Sequence, residues 1–357
     1  MDHNTTDTKP YPRYWLITAA RTASNMLVTM LNLEEQNVAL LRHGGYFFFP
    51  SVFKRFPLLF GKGPIDLWTD QERAEVDALS QEIFDRIQDH IEASEKSGKT
   101  IFVKEHALFM NDPRIESDFL HRNSASRSKS NGDKSAQTSR HEDLSVLSWR
   151  GSSHGTRSKH NLTVFPDEFL HTITPTFLIR HPAMMIPSYY RTALDQVKLG
   201  TIVRPDSMAG GPSEIEASIH WNRALYDFYT EYFAAIGHEP PMVLDADDIM
   251  ISGNTLVPQY ASLVGLDPSK IRLNWEKGAV DDGKLAPIER RMLSTLLETS
   301  GVDRSKIAGE NIDIDAEAAK WREEFGEDGG KRLEQWVRAA MPHYEHMRAG
   351  RMRPGGV

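Results

Sequence analysis

Three short apolar segments, each followed at once by polar residues, constrain the fold of this chain more than any other feature. They are YWLITAARTASNML at 14–27, TIFVKEHA at 100–107 and TFLIRHPAMMIPSYYR at 176–191. Their apolar parts have the length of buried strands, and helical patterns lie between them, an alternation typical of parallel sheets. The sequence therefore predicts an α/β fold: a parallel, doubly wound sheet with helices on both faces, binding a phosphorylated ligand beyond its strand ends.

The length and composition favour one domain. The chain has 357 residues, of which 39% are hydrophobic and 26% charged, as in ordinary globular proteins. We assign residues 1–357 to a single α/β domain. Within it, residues 121–160 are rich in Ser, Lys and Arg and poor in core-forming residues, which predicts a disordered insertion. A phosphorylation or anion-binding role for this segment is the alternative to a solvated loop.

The composition also argues against several kinds of site and partner. The absence of cysteine excludes disulfides, thiolate metal sites and a thiol nucleophile. A formal net charge of −8 argues against general affinity for nucleic acid. The N-terminal sequence lacks a signal-peptide pattern, and no segment has the ~18 apolar residues needed to span a bilayer. We therefore expect a cytoplasmic protein with no membrane span.

Residues 42–68 combine Gly, Pro and many aromatic residues without a clear period. This pattern predicts an irregular apolar wall rather than a regular element. It is either core beneath a long loop or, as the alternative, part of a small-molecule pocket lined by Tyr46 to Phe49.

The first polar turn, residues 19–25, joins a predicted strand to a predicted helix. Such a turn presents free backbone N–H groups and the positive end of the helix dipole, and both favour anionic oxygens. Arg21 adds a cation, and Thr22 and Ser24 add hydroxyls. The pattern GxxxxGK[ST] is absent, so a Walker-type, Mg²⁺-dependent nucleotide hydrolase is not supported.

The second and third segments carry candidate catalytic and phosphate-binding residues. Lys104 and His106 are two residues apart on a predicted strand, so their side chains point to the same side. A histidine there can accept a proton from a hydroxyl, and a lysine can neutralise charge on a leaving phosphate, although a structural histidine is the alternative. Arg180 ends the third strand, and Ser188 follows eight residues later. Together they can hold a phosphate.

In this order and chemistry the three segments resemble the sulfotransferases that use 3'-phosphoadenosine-5'-phosphosulfate (PAPS) as sulfuryl donor, whose fold is related to the P-loop NTPases. In that family an Arg/Lys-Ser-Gly-Thr-Thr turn grips the 5'-phosphosulfate, a Lys-Thr-His strand end supplies the base, and an Arg with a Ser eight residues later holds the 3'-phosphate. This chain has Lys104-Glu105-His106 and the phrase LIRHPAMMIPSYY at the second and third places. At the first stands the turn Arg21-Thr22-Ala23-Ser24-Asn25.

The resemblance implies in-line transfer of a sulfuryl group to the hydroxyl of a small acceptor, without a metal. His106 would be the base, while Arg21, Lys104 and the turn amides would stabilise the departing phosphate. Arg180 and Ser188 would select PAPS over ordinary nucleotides. The motif RTASN at 21–25 is similar to the corresponding motif of sulfotransferase-like proteins of filamentous fungi. Segment 42–68 suggests a hydrophobic acceptor of secondary metabolism, such as a phenol, a sterol-like alcohol or a polyketide alcohol.

The sequence leaves several alternatives open. Sulfation could activate a hydroxyl for elimination, which would make the protein a sulfation-assisted dehydratase. Because Ala23 replaces the family's glycine, a non-catalytic protein that binds PAP, the desulfated donor product, or another nucleotide is a second alternative. A kinase is a weaker one. The acidic residues at 245–248 are either metal ligands or helix caps. A homodimer also remains open.

Overall fold

Four parallel strands form the central sheet in the described part of the chain, in the order β2-β1-β3-β4. The computed structural model describes residues 12–41, 45–126, 145–205, 208, 211–278, 283, 285–309 and 312–355. The strands are β1 (Arg13–Thr18), β2 (Ile101–His106), β3 (Thr174–Ile179) and β4 (Met242–Asp245).

The α-helices surround this sheet, and short 3₁₀ helices occupy some of the connections. The α-helices are α1 (Ser24–Leu31), α2 (Phe49–Gly61), α3 (Asp70–Lys96), α4 (Pro113–Ser126), α5 (Asp167–Leu170), α6 (Pro182–Lys198), α7 (Glu214–Ala217), α8 (His220–Ala235), α9 (Ala246–Leu263), α10 (Pro287–Met292), α11 (Ser294–Glu298) and α12 (Ile314–Ala349). The 3₁₀ helices are Leu33–Glu35, Ile65–Leu67, Ala107–Met110, Pro268–Lys270 and Arg304–Lys306.

Successive residues of each strand enter two different hydrophobic cores. On β1, Trp15 and Ile17 pack into one core and Leu16 into the other. Because side chains alternate across a strand, the two cores lie on opposite faces of the sheet. Both faces are thus covered, as buried parallel strands require, and the predicted parallel α/β fold is confirmed.

The order of the strands creates a crevice at their carboxyl ends. The chain leaves β1 for β2 on one side and later returns to place β3 on the other side of β1. Ligands of open α/β sheets bind at such a reversal, outside the carboxyl ends of the strands. Thr18, His106 and Arg180 stand at or directly after these ends.

The prediction of an irregular wall at 42–68 is wrong for residues 49–61, which form α2. Pro50 lies in the first turn, where its fixed φ suits a helix start. The unbroken aromatic run from Tyr46 to Phe49 hides the helical spacing of the phenylalanines that follow. Residues 42–44 of the predicted wall lie outside the described residues.

The predicted insertion at 121–160 is structured at its described ends. Residues 121–126 complete α4, and the segment after residue 144 contacts α3. There the Ser148 and Arg150 backbone N–H groups donate to Gln81 and Gln88 at 2.8 Å each. The prediction of a disordered insertion therefore now covers only residues 127–144. These lie outside the described residues, so for them it stays a prediction.

The long C-terminal helix α12 contacts strands β3 and β4. It packs against α6 and α8, and the Tyr344 hydroxyl donates to Asp245 at the end of β4 at 2.7 Å. Across the described ranges, none of the helices combines the length and apolar character needed to cross a membrane.

Candidate active site

The turn between β1 and α1 has an unusual backbone. Arg21 and Ala23 both adopt left-handed conformations, with φ of 66° and 62°. This path brings the chain directly from β1 into α1, whose first N–H groups have no acceptor within the helix. The Thr22 hydroxyl donates to the Ala19 carbonyl at 2.8 Å, so it stabilises the turn and does not line the cavity described below. The turn therefore presents backbone amides and the side chains of its other members.

The end of β2 places two titratable side chains beside this turn. Lys104 and His106 pair in register with Leu16 and Thr18 of β1, and both line the same cavity. The Lys104 ammonium donates to Asn25 Oδ1 at 2.5 Å. Burial lowers the pKa of Lys104 to about 7, against the opposing effect of the neighbouring Glu105 carboxylate. The lysine is thus held against the turn, close to its charge transition at neutral pH.

The hydrogen bonds of His106 favour one tautomer. His106 Nδ1 lies 2.5 Å from the Thr18 hydroxyl, which itself donates to the Glu105 carbonyl at 3.2 Å. Since that hydroxyl has one proton, both bonds are satisfied when Nδ1–H donates to Thr18, and this leaves Nε2 unprotonated. Burial, aided by the charge of Lys104, lowers the pKa of His106 to about 3. His106 is therefore a neutral imidazole at physiological pH, with the lone pair of Nε2 free.

Thr18 is a site residue that the sequence analysis missed. Its only signal is its place as a polar residue at the end of an apolar strand, and that signal does not reveal its partner. The register of β1 against β2 decides that Thr18 lies opposite His106.

Tyr46 covers the lysine and the histidine. Lys104 Nζ lies 4.2 Å from the centre of the Tyr46 ring, and the His106 ring centre lies 4.6 Å from it. Gly45 makes this approach feasible, because its φ is +102° and a Cβ there would come within 3.2 Å of the Lys104 backbone nitrogen. Tyr46 and Phe49 line the cavity, as the pocket alternative for 46–49 predicts.

Phe47 and Phe48, which lie between Tyr46 and Phe49, do not line the cavity. The backbone N–H groups of Phe47 and Phe48 donate to the Glu105 carboxylate at 2.8 and 3.0 Å. Glu105 points away from the cavity, as expected for a regular strand, and it anchors this segment from behind.

Arg180 and Ser188 both meet Arg21. Arg180 donates to the Arg21 carbonyl at 3.1 Å and to the Lys306 carbonyl at 2.7 Å, while its buried Nε has no acceptor among the described residues. Arg21 Nε donates to the Ser188 hydroxyl at 3.0 Å. Burial and the nearby charges of Arg291 and Arg180 lower the pKa of Arg21 to about 10. Two guanidinium groups therefore converge at the strand ends, an arrangement suited to an anion.

These side chains line one cavity of about 2200 Å³. That volume exceeds the ~300–1,000 Å³ of an ordinary ligand pocket, so there is room for two substrates. The polar part contains all but one of the predicted site residues, the exception being Thr22: Arg21, Ala23, Ser24, Asn25, Lys104, His106, Arg180 and Ser188. The apolar part includes Phe49, Phe53, Phe56, Phe60 and Phe109.

The acidic residues after β4 act as caps and hydrogen-bond acceptors. Asp245 caps α9 by accepting from the Asp247 N–H at 2.9 Å, and Asp247 accepts from the Ala308 N–H at 3.2 Å. Asp248 pairs with Arg351. Among the residues that the structure describes, no group of three or more His, Asp or Glu side chains is arranged to hold a metal ion.

Comparison with known proteins adds independent findings. No family model matches the chain. The chain is 37% identical over 350 residues to the sulfotransferase ppzF of Metarhizium rileyi, covering 96% of each protein. It is 36% identical over 352 residues to the sulfotransferase ppzF of Metarhizium majus, covering 96% of this chain and 97% of that protein.

Two solved structures are also similar, at a much lower level. The sulfotransferase domain of the Synechococcus olefin synthase has a TM-score of 0.31 at 12% identity, with 94% of this chain and 98% of the domain covered. The sulfotransferase domain of the curacin biosynthetic pathway has a TM-score of 0.29 at 14% identity, with 92% and 99% covered. Scores this low carry no argument. The 36–37% identity to the two Metarhizium proteins extends over almost the full length of the chain, and it shows that the chain belongs to the sulfotransferase family.

Proposed function

We propose that this protein transfers a sulfuryl group from PAPS to a hydroxyl of a small, hydrophobic acceptor, in the cytosol. The observation that carries the proposal is the convergence of Arg21, Arg180 and Ser188 beside the neutral His106 in one cavity. An anion-binding cluster next to a proton acceptor is what sulfuryl transfer to a hydroxyl requires.

The residues present suit the donor. The Arg180 guanidinium retains a buried N–H without an acceptor, and an unmatched buried donor of this kind is complementary to a phosphate oxygen. Arg180 and Ser188 would hold the 3'-phosphate. Arg21, Lys104, Asn25 and the turn amides would hold the 5'-phosphosulfate.

The chemistry assigned to His106 is proton acceptance at Nε2. As the acceptor oxygen attacks sulfur, its proton passes to His106, an S–O bond to the acceptor forms, and the S–O bond to the departing phosphate breaks. Thr18 keeps the imidazole in the tautomer that leaves Nε2 free. Lys104 and Arg21 neutralise the charge that develops on the phosphate.

The acceptor side is apolar. Phe49, Phe53, Phe56 and Phe60 follow one another along α2 at helical spacing and line the cavity. Phe109 extends this wall to the site, with its ring centre 4.8 Å from that of His106. A flat or aliphatic hydrophobic alcohol or phenol fits such a wall.

The decisive experiment is calorimetric binding of PAP to wild type and to Arg180→Ala. We expect micromolar or tighter binding to wild type, a loss of tenfold to a hundredfold on substitution, and much weaker binding of AMP, because charge-assisted hydrogen bonds contribute about 1.5–3 kcal/mol. Arg150→Ala is the matched control, since Arg150 pairs with Asp89 away from the cavity. Folded wild type that binds no PAP would rule out a PAPS-dependent reaction.

Turnover then separates catalysis from nucleotide binding alone. Wild type with PAPS and a panel of hydrophobic phenols and alcohols should form sulfate esters, and His106→Ala should not. Recovery of alkenes in place of sulfate esters would instead indicate the sulfation-assisted dehydratase. PAP binding without turnover of any acceptor would indicate a nucleotide-binding protein.

A further inference from the structure

The corner between α7 and α8 adds a polar patch to the wall of the cavity. It contributes Glu216, Ser218 and Asn222, and Tyr189 and Arg204 join them from α6 and the segment after it. None of these five residues belongs to the proposed donor site. We call this group the corner cluster.

The charges of the corner cluster are already paired. Arg204 donates to Glu216 Oε1 at 2.5 Å, and the side chains of both residues are only 3% exposed. The Tyr189 hydroxyl donates to the same oxygen at 2.8 Å, and the Ser213 N–H donates to the other carboxylate oxygen at 2.8 Å. Both carboxylate oxygens thus accept hydrogen bonds, and the charge of Glu216 is compensated by that of Arg204.

Two N–H donors of the cluster are nevertheless unmatched. Arg204 Nε and Asn222 Nδ2 are buried, and neither has a hydrogen-bond acceptor among the described residues. Asn222 is only 2% exposed. Leaving a buried donor without a partner is costly, so such groups in a cavity wall call for an acceptor atom from a ligand or from water.

The cluster borders the aromatic wall of the acceptor side. The Arg204 guanidinium lies 5.0 Å from the centre of the Phe60 ring, at the end of the row of phenylalanines on α2. A molecule that lies along this row therefore reaches the corner cluster with one of its ends.

We propose that the corner cluster binds a neutral carbonyl oxygen of the sulfuryl acceptor, as in a ketone, ester or amide. This inference rests on the proposed function, because it assigns specificity to the acceptor side of the same cavity. A carbonyl oxygen matches free N–H donors in a neutral setting. A carboxylate would meet the like charge of Glu216, whose partner Arg204 is already paired.

The test uses matched phenols as probes. A series of 4-alkylphenols with four to eight side-chain carbons is paired with the ketones that carry a carbonyl at the penultimate carbon. Calorimetry measures each Kd with wild type, Asn222→Leu, Arg204→Lys and Asn274→Leu. Lysine keeps the positive charge beside Glu216 but lacks Nε–H. Asn274→Leu is the same substitution at another point of the cavity wall.

We expect the ketone of at least one chain length to bind wild type tighter than its alkylphenol. Its preference should fall fivefold or more in Asn222→Leu and in Arg204→Lys, and persist in Asn274→Leu. Equal preference in wild type and both cluster variants, or no ketone binding at any length, would overturn the inference and assign water alone to these donors.

PAP binding to the same proteins reports separately on the proposed function. Retained PAP binding with an unchanged ketone preference would defeat only the carbonyl site. Absence of PAP binding would defeat the sulfotransferase mechanism, whatever the phenols show. Asn222→Leu should remain folded, because the buried amide nitrogen that it removes has no acceptor among the described residues, and a thermal unfolding curve checks this.

Discussion

Arg21 Nε donates to the Ser188 hydroxyl at 3.0 Å, and this bond joins the turn after β1 to helix α6 across 167 positions of sequence. The residues predicted for the 5'-phosphosulfate and those predicted for the 3'-phosphate are therefore parts of one hydrogen-bonded unit. Arg180 strengthens this unit by donating to the Arg21 carbonyl. A substitution at Arg21 should therefore alter the position of Ser188, and a substitution at Ser188 should alter that of Arg21.

Thr18→Val should slow sulfation while leaving PAP binding intact. Valine has the shape of threonine but cannot accept the Nδ1 proton of His106, so the tautomer with a free Nε2 is no longer favoured. We expect kcat to fall about tenfold to a hundredfold, and His106→Ala to lose about a hundredfold or more. The measurement is initial rates on the phenol that wild type sulfates fastest. Unchanged kcat in Thr18→Val would contradict the role assigned to this bond.

Binding of PAP should take up a proton through Lys104 at about pH 8. In the free protein burial lowers the Lys104 pKa to about 7, so at pH 8 the amine is mostly neutral. A bound phosphate favours the charged form and raises this pKa, which draws in a proton. At about pH 6 the amine is already charged, and this uptake should vanish.

Calorimetry in buffers of different ionisation enthalpy measures this proton uptake. Lys104→Met is the control, because it removes the titrating amine and leaves the contributions of PAP and of neighbouring groups such as Glu105, whose pKa burial raises to about 8. Equal uptake by wild type and Lys104→Met at pH 8 would mean that Lys104 does not change its charge on binding.

Ala23→Gly should stabilise the protein or leave its stability unchanged. A residue with a Cβ costs about 1–2 kcal/mol in the left-handed conformation that Ala23 adopts, and glycine avoids this cost at the expense of about 0.5–1 kcal/mol of chain entropy. We expect a gain of about 0–1.5 kcal/mol in the free energy of unfolding in urea. Ala78→Gly, at an exposed interior position of α3, is the matched control and should lose about 1 kcal/mol. A loss at both positions would refute the argument from φ.

Arg55→Met should be strongly destabilising. Arg55 of α2 makes two hydrogen bonds to the Glu116 carboxylate of α4, at 2.7 and 2.8 Å, and both side chains are at most 1% exposed. Removing one partner leaves a buried charge uncompensated, which costs about 3–5 kcal/mol. In urea unfolding, the double variant Arg55→Met with Glu116→Leu should regain part of the free energy of unfolding that Arg55→Met loses. Lys54→Met breaks an exposed pair with Glu75 and should cost less than about 1 kcal/mol.

The residues of the proposed donor site could be predicted from sequence to a large extent. The ends of the strands can be located because, in a parallel sheet, a run of apolar residues followed by polar ones marks a buried strand and its carboxyl end. The strand ends point to Arg21, Lys104, His106 and Arg180, and Ser188 follows Arg180 by eight residues. The structure brings all five to one cavity. Thr22 did not join them, because its hydroxyl completes a local turn, and short-range competition of this kind has no signature in composition.

The proposed acceptor side could be predicted only in part, through the pocket alternative for Tyr46 to Phe49. The sequence predicts an irregular wall where α2 forms, and it gives no signal for the corner cluster. Arg204 and Glu216 are twelve positions apart in unremarkable surroundings, and only the packing of α7 and α8 against the cavity makes them a buried pair.

The sequence by itself determined the parallel α/β class, the strand ends and the chemical groups available for an anionic donor, because these depend on local patterns of apolar and polar residues. The tertiary structure alone decided which of these groups meet. The register of β1 against β2 pairs Thr18 with His106, and the folding of α6 over the first turn brings Ser188 to Arg21. The physical reason is that hydrogen bonds and burial act over a few ångströms in space, whereas the partners they join lie up to 167 residues apart along the chain.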